Sequence, residues 1–230
     1  MKNIVFDLGG VLFARDKSKC TPELLEFFSF LRAPRMPLFW EEYDRGTSTL
    51  EEVTATISGM TGRPVETCAA VLRLAVDLQE PVKPTERLVG DLKAAGYRLY
   101  VLSNMSREFI DFLRRFPVYG LFDGEVVSCE EHTVKPEPRI YEILLERYGL
   151  TPSETLFIDD REMNIEAATC SKARRSGHSR LRLRSPRSRR GVRRPAPAVV
   201  AIGLHINKRK RPAQTGLFLF EPLPGDQLKV

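Results

Sequence analysis

At four places in this 230-residue chain, reactive side chains stand where an apolar run stops. Asp7 closes IVFD, with Leu8 between it and Gly9 and Gly10. Ser103 and Asn104 close YRLYVLSN, Lys135 lies in the loop after FDGEVVS, and Asp159 and Asp160 end TLFIDD. Each has an ordinary reading. An acid or a Ser–Asn pair after a strand serves as a turn or helix cap, and a lysine before a proline is commonly solvated. The adjacent carboxylates are harder to dismiss, because they repel unless a cation or a proton lies between them. Set against a phosphate ester, the four places form one consistent set. Asp7 would attack phosphorus and carry the phosphoryl group as an aspartyl-phosphate. A magnesium ion, which prefers hard oxygen ligands, would bridge Asp7, Asp160 and a phosphate oxygen. The Ser103 hydroxyl, the Asn104 amide and neighbouring backbone N–H groups would hold the other oxygens, while Lys135 would neutralise charge on nucleophile and phosphoryl group. Without side chains at Gly9 and Gly10, the backbone can approach metal and phosphate, and the Gly9 carbonyl can face the site.

The elements that would carry these residues follow from periodicity. Strands are expected over 4–8, 97–104, 122–128 and 155–160, with helices over 85–96, 107–116, 137–149 and 163–168. Strands alternating with helices imply an α/β fold, a Rossmann-like parallel sheet with helices on both faces. Residues 1–13 and 85–168 would form this core. Residues 14–84 read as almost wholly helical, with breaks at Pro34, Pro37, Gly46 and Gly62. A helical insert after the first strand would sit above the carboxyl ends of the strands, where ligands bind in such sheets, as a small all-helical cap. Within it Glu42, Tyr43 and Arg45 are candidates for substrate contact, against the plainer reading of a solvated helix face. Trp40 is expected in the cap core or at its contact with the sheet domain.

The ordered motifs FDLGGVL, VLSN, VKPEPRIY and FIDDREMNI resemble those of the haloacid dehalogenase (HAD) superfamily, in particular its capped phosphatases. The likeness is to sugar-phosphate phosphatases and the phosphatase domain of bifunctional epoxide hydrolases. It implies a phosphoric monoester hydrolase with Asp7 as nucleophile, Asp160 as direct metal ligand, Asp159 and Asn164 in support, and a small phosphorylated metabolite as substrate. One position departs from the pattern. Most phosphatases of that family carry a second aspartate two residues after the nucleophile, which protonates the leaving oxygen and later activates water; here that place is Gly9. General acid–base help of this kind is commonly worth about 10²–10⁴-fold in rate. Two other readings stand beside the phosphatase: a non-catalytic phosphate-binding or regulatory protein, and a 2-haloacid dehalogenase, which needs no metal and would leave Asp159–Asp160 without a purpose.

Charge divides the chain in two. Residues 1–168 hold 20 basic and 28 acidic residues, whereas residues 169–230 hold 16 and 2. The second stretch is rich in Arg, Ser and Pro, and is expected to be a low-complexity tail. It could serve as a nucleic-acid-binding arm or nuclear-targeting cluster through KRKR at 208–211. An abrupt change inside a helix also suits a coding-frame shift near codon 169. RLRLRS would put arginine on one whole face of an edge strand, at high desolvation cost; residues 171–198 are expected to be disordered or poorly packed, and 199–206 and 216–221 could form a hairpin or an edge strand. No apolar run is long enough to span a membrane, and no secretory signal pattern opens the chain. Cys20, Cys68, Cys129 and Cys170 are widely spaced, as reduced thiols of a cytoplasmic protein would be.

Overall fold

The computed structural model describes residues 2–16, 18–32, 36–175 and 202–203. In chain order these form β1 (Asn3–Phe6), β2 (Phe13–Arg15), α1 (Pro22–Phe27), α2 (Leu38–Arg45), α3 (Leu50–Thr61), α4 (Val65–Asp77), β3 (Gln79–Pro81), α5 (Lys83–Ala94) and β4 (Arg98–Ser103). There follow α6 (Arg107–Leu113), β5 (Gly124–Val127), α7 (Ser128–Glu131), α8 (Pro138–Arg147), β6 (Thr155–Asp159), α9 (Glu162–Arg175) and β7 (Ile202–Gly203).

Strand alternation builds two cores, one on each face of the sheet. Ile4, Phe6, Leu99, Val101, Leu156 and Ile158 point to one side, where they pack with Val89 of α5 and Ile110 and Leu113 of α6. Val5, Tyr100, Leu102, Val126 and Phe157 point to the other, against Ile140, Tyr141 and Leu144 of α8. Successive strand residues face opposite sides, so strands apolar at every position need helices on both faces. The sheet is parallel in the order β5-β4-β1-β6-β7. β1 and β6 are therefore neighbours, and Phe6 is level with Ile158. This register brings Asp7 and Asp159 to the same end of the sheet.

Helices α1 to α4 bury a third cluster of their own, including Leu24, Phe27, Trp40, Ile57 and Leu72. Phe109 of α6 joins it, and Met105 packs against both this cluster and the sheet core. The insert departs from the all-helical expectation at its stem. β2 and β3 pair antiparallel, Phe13 with Pro81 and Arg15 with Gln79, where the chain leaves and re-enters the core. Three residues are too few to show a strand period, and the pairing depends on two segments far apart in sequence.

Two glycines of the insert allow a clean comparison. Gly46 ends α2 and Gly62 ends α3, both left-handed, with φ of 75° and 68°. A Cβ on Gly62 would meet nothing, whereas one on Gly46 would lie 2.9 Å from Cys129 Cα and closer still to the Cys129 carbonyl oxygen. Gly62→Ala is expected to cost about 1 kcal/mol from the backbone conformation alone. Gly46→Ala should cost about 2–4 kcal/mol, because α2 must also move off α7. Urea unfolding of the two variants measures the difference, and equal losses would mean that the α2–α7 contact is loose.

α9 runs to Arg175, past the compositional break at 169. Ile202–Gly203 lies within 199–206, read as a hairpin or edge-strand segment, and pairs parallel with Ile158 and Asp159 of β6. The RLRLRS segment, the basic cluster at 208–211 and the apolar run 216–221 lie outside the described residues. No helix among the described residues is long and apolar enough to cross a membrane.

Candidate active site

Asp7 sits one residue past β1 and is almost fully buried. Its Oδ1 accepts from the Leu8 N–H at 2.7 Å and from the Ser103 hydroxyl at 3.0 Å, and lies 2.9 Å from Lys135 Nζ. Burial pushes the Asp7 carboxyl up to about 6 from 3.8; Lys135 pulls it down and Asp159 adds to the rise. Lys135 is buried too, and burial alone would lower its pKa. Asp7 and Asp159 outweigh that and raise it, so the ammonium stays charged.

The three N–H bonds of that ammonium are all engaged. Besides Asp7 it meets Asp159 Oδ2 at 2.7 Å and the Leu102 carbonyl at 2.9 Å. The loop carrying it is clamped by Asn104. The Asn104 Nδ2 donates to the Lys135 carbonyl at 2.9 Å, and its Oδ1 accepts from the Lys135 N–H at 2.7 Å. The amide expected beside the phosphate oxygens is thus held by the lysine loop at both its oxygen and its nitrogen.

Asp159 is saturated. Its Oδ1 accepts from the Arg161 N–H at 2.8 Å and from Asn164 at 2.9 Å; its Oδ2 accepts from Lys135 and from Asn164 at 3.0 Å. Asn164 is buried, and its own carbonyl accepts from the Tyr141 hydroxyl. Asp160 differs: it is exposed, and its pKa is raised by partial desolvation and by Asp159. Oxygen atoms of Asp7, Asp159 and Asp160 lie within 4.8 Å of one another. Three carboxylates against one buried ammonium leave an excess of negative charge, and hard oxygen donors in that number suit magnesium.

The two glycines after Asp7 are not equivalent. Gly10 has φ 80°, and a Cβ there would stand 2.6 Å from Asp160 Oδ2. A Cβ at Gly9 would meet only Met105 at 3.9 Å, ordinary contact. Close approach to the carboxylates therefore requires glycine at position 10, while position 9 has room for a side chain.

Two of the three cap candidates, Tyr43 and Arg45, are engaged away from these groups. Tyr43 donates to Glu108 at 2.5 Å, and Arg45 binds Glu137 through two nitrogens and also Glu41. Both fasten α2 to the sheet domain, and Glu42 accepts backbone N–H groups of Thr47 and Ser48 through its carbonyl. The residue between Tyr43 and Arg45 was not among the candidates. Asp44 is buried, and its pKa is pushed up to about 7 by burial, with Arg161, Asp7, Glu41 and Lys135 among the charges it senses. Its position between two candidates was the only signal available before the docking of α2 was known.

A family model of haloacid dehalogenase-like hydrolases matches residues 1–171. The chain belongs to the haloacid dehalogenase-like hydrolases. This hydrolase is 28% identical over 168 residues to the sesquiterpene phosphatase astK of Aspergillus oryzae, an alignment covering 73% of this chain and 84% of that protein. It is 28% identical over 184 residues to the D-ribitol-5-phosphate phosphatase of Bacteroides thetaiotaomicron, covering 72% and 85%. A solved structure of a HAD-family enzyme from Bacteroides thetaiotaomicron, in complex with magnesium and inorganic phosphate, superposes with a TM-score of 0.58. It is 28% identical and covers 73% of this chain and 89% of that one.

Proposed function

We propose that this hydrolase is a magnesium-dependent phosphatase that moves the phosphoryl group of a small ester onto Asp7 and then to water. The observation that carries the reading is the cluster itself: a buried carboxylate at a strand end, fixed by Lys135 and Ser103, beside the more open carboxylate of Asp160. A magnesium ion held by Asp7, Asp160 and the Gly9 carbonyl would supply positive charge against the anionic ester. Lys135 orients the attacking oxygen and offsets charge that develops on the phosphoryl group. Ser103 donates its hydroxyl to Asp7 and holds it in place. Asp159 and Asn164 keep Lys135 aimed, and Asn104 fixes its loop. The helical insert acts as a cap over the carboxyl ends of the strands, and its side chains select the ester.

Relatives named for a sesquiterpene phosphatase and a sugar-alcohol phosphate phosphatase support phosphate-ester hydrolysis. Their leaving groups differ widely, so a panel should include sugar, sugar-alcohol and terpenyl phosphates. Displacement of halide from carbon has no use for a third carboxylate, which disfavours the dehalogenase reading. Free thiols at Cys20, Cys68 and Cys129 suit a reducing compartment such as the cytoplasm. The expected result is phosphate release from at least one member of the panel with magnesium, lost on chelation with EDTA and restored by added magnesium. No release from any ester, with phosphate still bound in calorimetry, would favour the non-catalytic phosphate-binding protein.

A further inference from the structure

On the phosphatase reading above, the chemistry needs a group that Asp7, Lys135 and Asp159 cannot provide. An alkoxide leaving group must be protonated as the P–O bond breaks, and water must lose a proton when it attacks the phosphorylated aspartate. Asp7 is the nucleophile, and Lys135 has its three N–H bonds committed to Asp7, Asp159 and Leu102. Asp159 is fully hydrogen-bonded. Position 9, two residues after the nucleophile, has no side chain.

Asp44, in the last turn of α2 and near enough to Asp7, Lys135 and Arg161 for their charges to act on it, answers this need. It is 9% exposed, and no described residue donates a hydrogen bond to its carboxyl group. Its backbone is pinned to two of the site's loops. The Ser128 hydroxyl donates to the Asp44 carbonyl and accepts from the N–H of Met105, two residues after Ser103. The next residue, Arg45, binds Glu137, two residues after Lys135. The last turn of α2 is thus held between the Ser103 loop and the Lys135 loop. We propose that Asp44 is the acid–base group of the reaction, supplied by the cap in place of a side chain at position 9.

In the first step Asp7 Oδ bonds to phosphorus, the bond from phosphorus to the ester oxygen breaks, and the proton of Asp44 passes to that oxygen, releasing an alcohol. In the second, Asp44 as carboxylate takes a proton from water while the water oxygen bonds to phosphorus and the phosphorus–Asp7 bond breaks. Inorganic phosphate leaves, and both aspartates return to their starting states. Burial holds the Asp44 proton to about pH 7, which suits a group that must both give and take it. Arg161 and Lys135 favour its charged form, and Asp7 and Glu41 its neutral one. Other charged groups on elements packed against α2 are engaged elsewhere or exposed. Glu130 pairs with Arg107 and Arg114, Glu131 pairs with Arg147, the His132 ring meets the Arg45 carbonyl, and Glu51 and Glu52 face solvent.

The test uses the full chain with magnesium, an alkyl phosphate that the wild type hydrolyses, and 4-nitrophenyl phosphate, whose leaving group needs no proton. Asp44→Asn is expected to lower alkyl-ester turnover by about 10²–10⁴-fold and to lose the alkaline fall of kcat/KM. With 4-nitrophenyl phosphate it should give a burst of about one nitrophenolate per active site before slow turnover, because Asp7 is still phosphorylated but water is not activated. Asp44→Glu should recover part of the alkyl-ester rate. The urea midpoint of Asp44→Asn at neutral pH should equal or exceed that of the wild type, since a neutral amide replaces a desolvated acid. Unchanged alkyl-ester turnover in Asp44→Asn, or loss of the burst together with turnover, overturns the assignment while leaving the phosphatase reading intact. A wild type that hydrolyses no ester overturns both.

Discussion

Asp7→Asn is expected to lower turnover of every phosphate ester by more than about 10⁴-fold, since removing a nucleophile abolishes the covalent route rather than slowing one of its steps. The fold should survive the change. An asparagine Oδ1 can still accept from Leu8, Ser103 and Lys135, and Lys135 keeps its bonds to Asp159 and Leu102. Burial already disfavours the Asp7 charge, so the neutral amide removes a cost rather than adding one. The check is paired: phosphate release with magnesium, and the urea midpoint without added metal. Residual activity of a tenth of wild type with an intact fold would show that Asp7 is not the nucleophile.

Lys135→Met is expected to be as damaging to activity and far worse for stability. The lysine side chain is 1% exposed and stands between Asp7 and Asp159, whose side chains are 9% and 0% exposed. Breaking a buried ion pair by removing one partner typically costs about 3–5 kcal/mol, because the remaining charge is left without compensation. Two carboxylates would be left here. The loss should depend on pH with a definite sign. Asp7 holds its proton more tightly when folded, with a pKa of about 6 against 3.8, so its charge opposes folding fully above about pH 6 and progressively less below it. Without Lys135 that opposition grows. The gap between variant and wild-type urea midpoints should therefore be widest at neutral pH, should narrow as pH falls through 6 towards 4, and should shrink on adding magnesium. A gap independent of pH would mean that the lysine contributes packing rather than charge.

The strand ends were legible because motif and period coincide there. Apolar runs at 4–6 and 156–158 become parts of adjacent strands, and each places its reactive acid just where the run stops. Lys135 was legible as a residue type in the right loop. Its three-way bonding was not, since that depends on β4, β1 and β6 lying side by side. The cap was harder to read. Tyr43 and Arg45 have the reach of ligand contacts, but their partners Glu108 and Glu137 lie 65 and 92 residues away and make them fasteners. Asp44 carries no motif at all, and only the docking of α2 on α7 sets it beside the site. The β2–β3 ribbon escaped for a similar reason, because neither three-residue piece has a pattern of its own.

The bonding of Lys135 also governs its covalent reactivity. Amines react with acylating, carbamylating and aldehyde reagents through a free lone pair. This nitrogen stays protonated, has every hydrogen engaged and is shut off from solvent. Adduct formation at residue 135 is therefore confined to molecules that have opened, and the extent of labelling counts how often the chain unfolds.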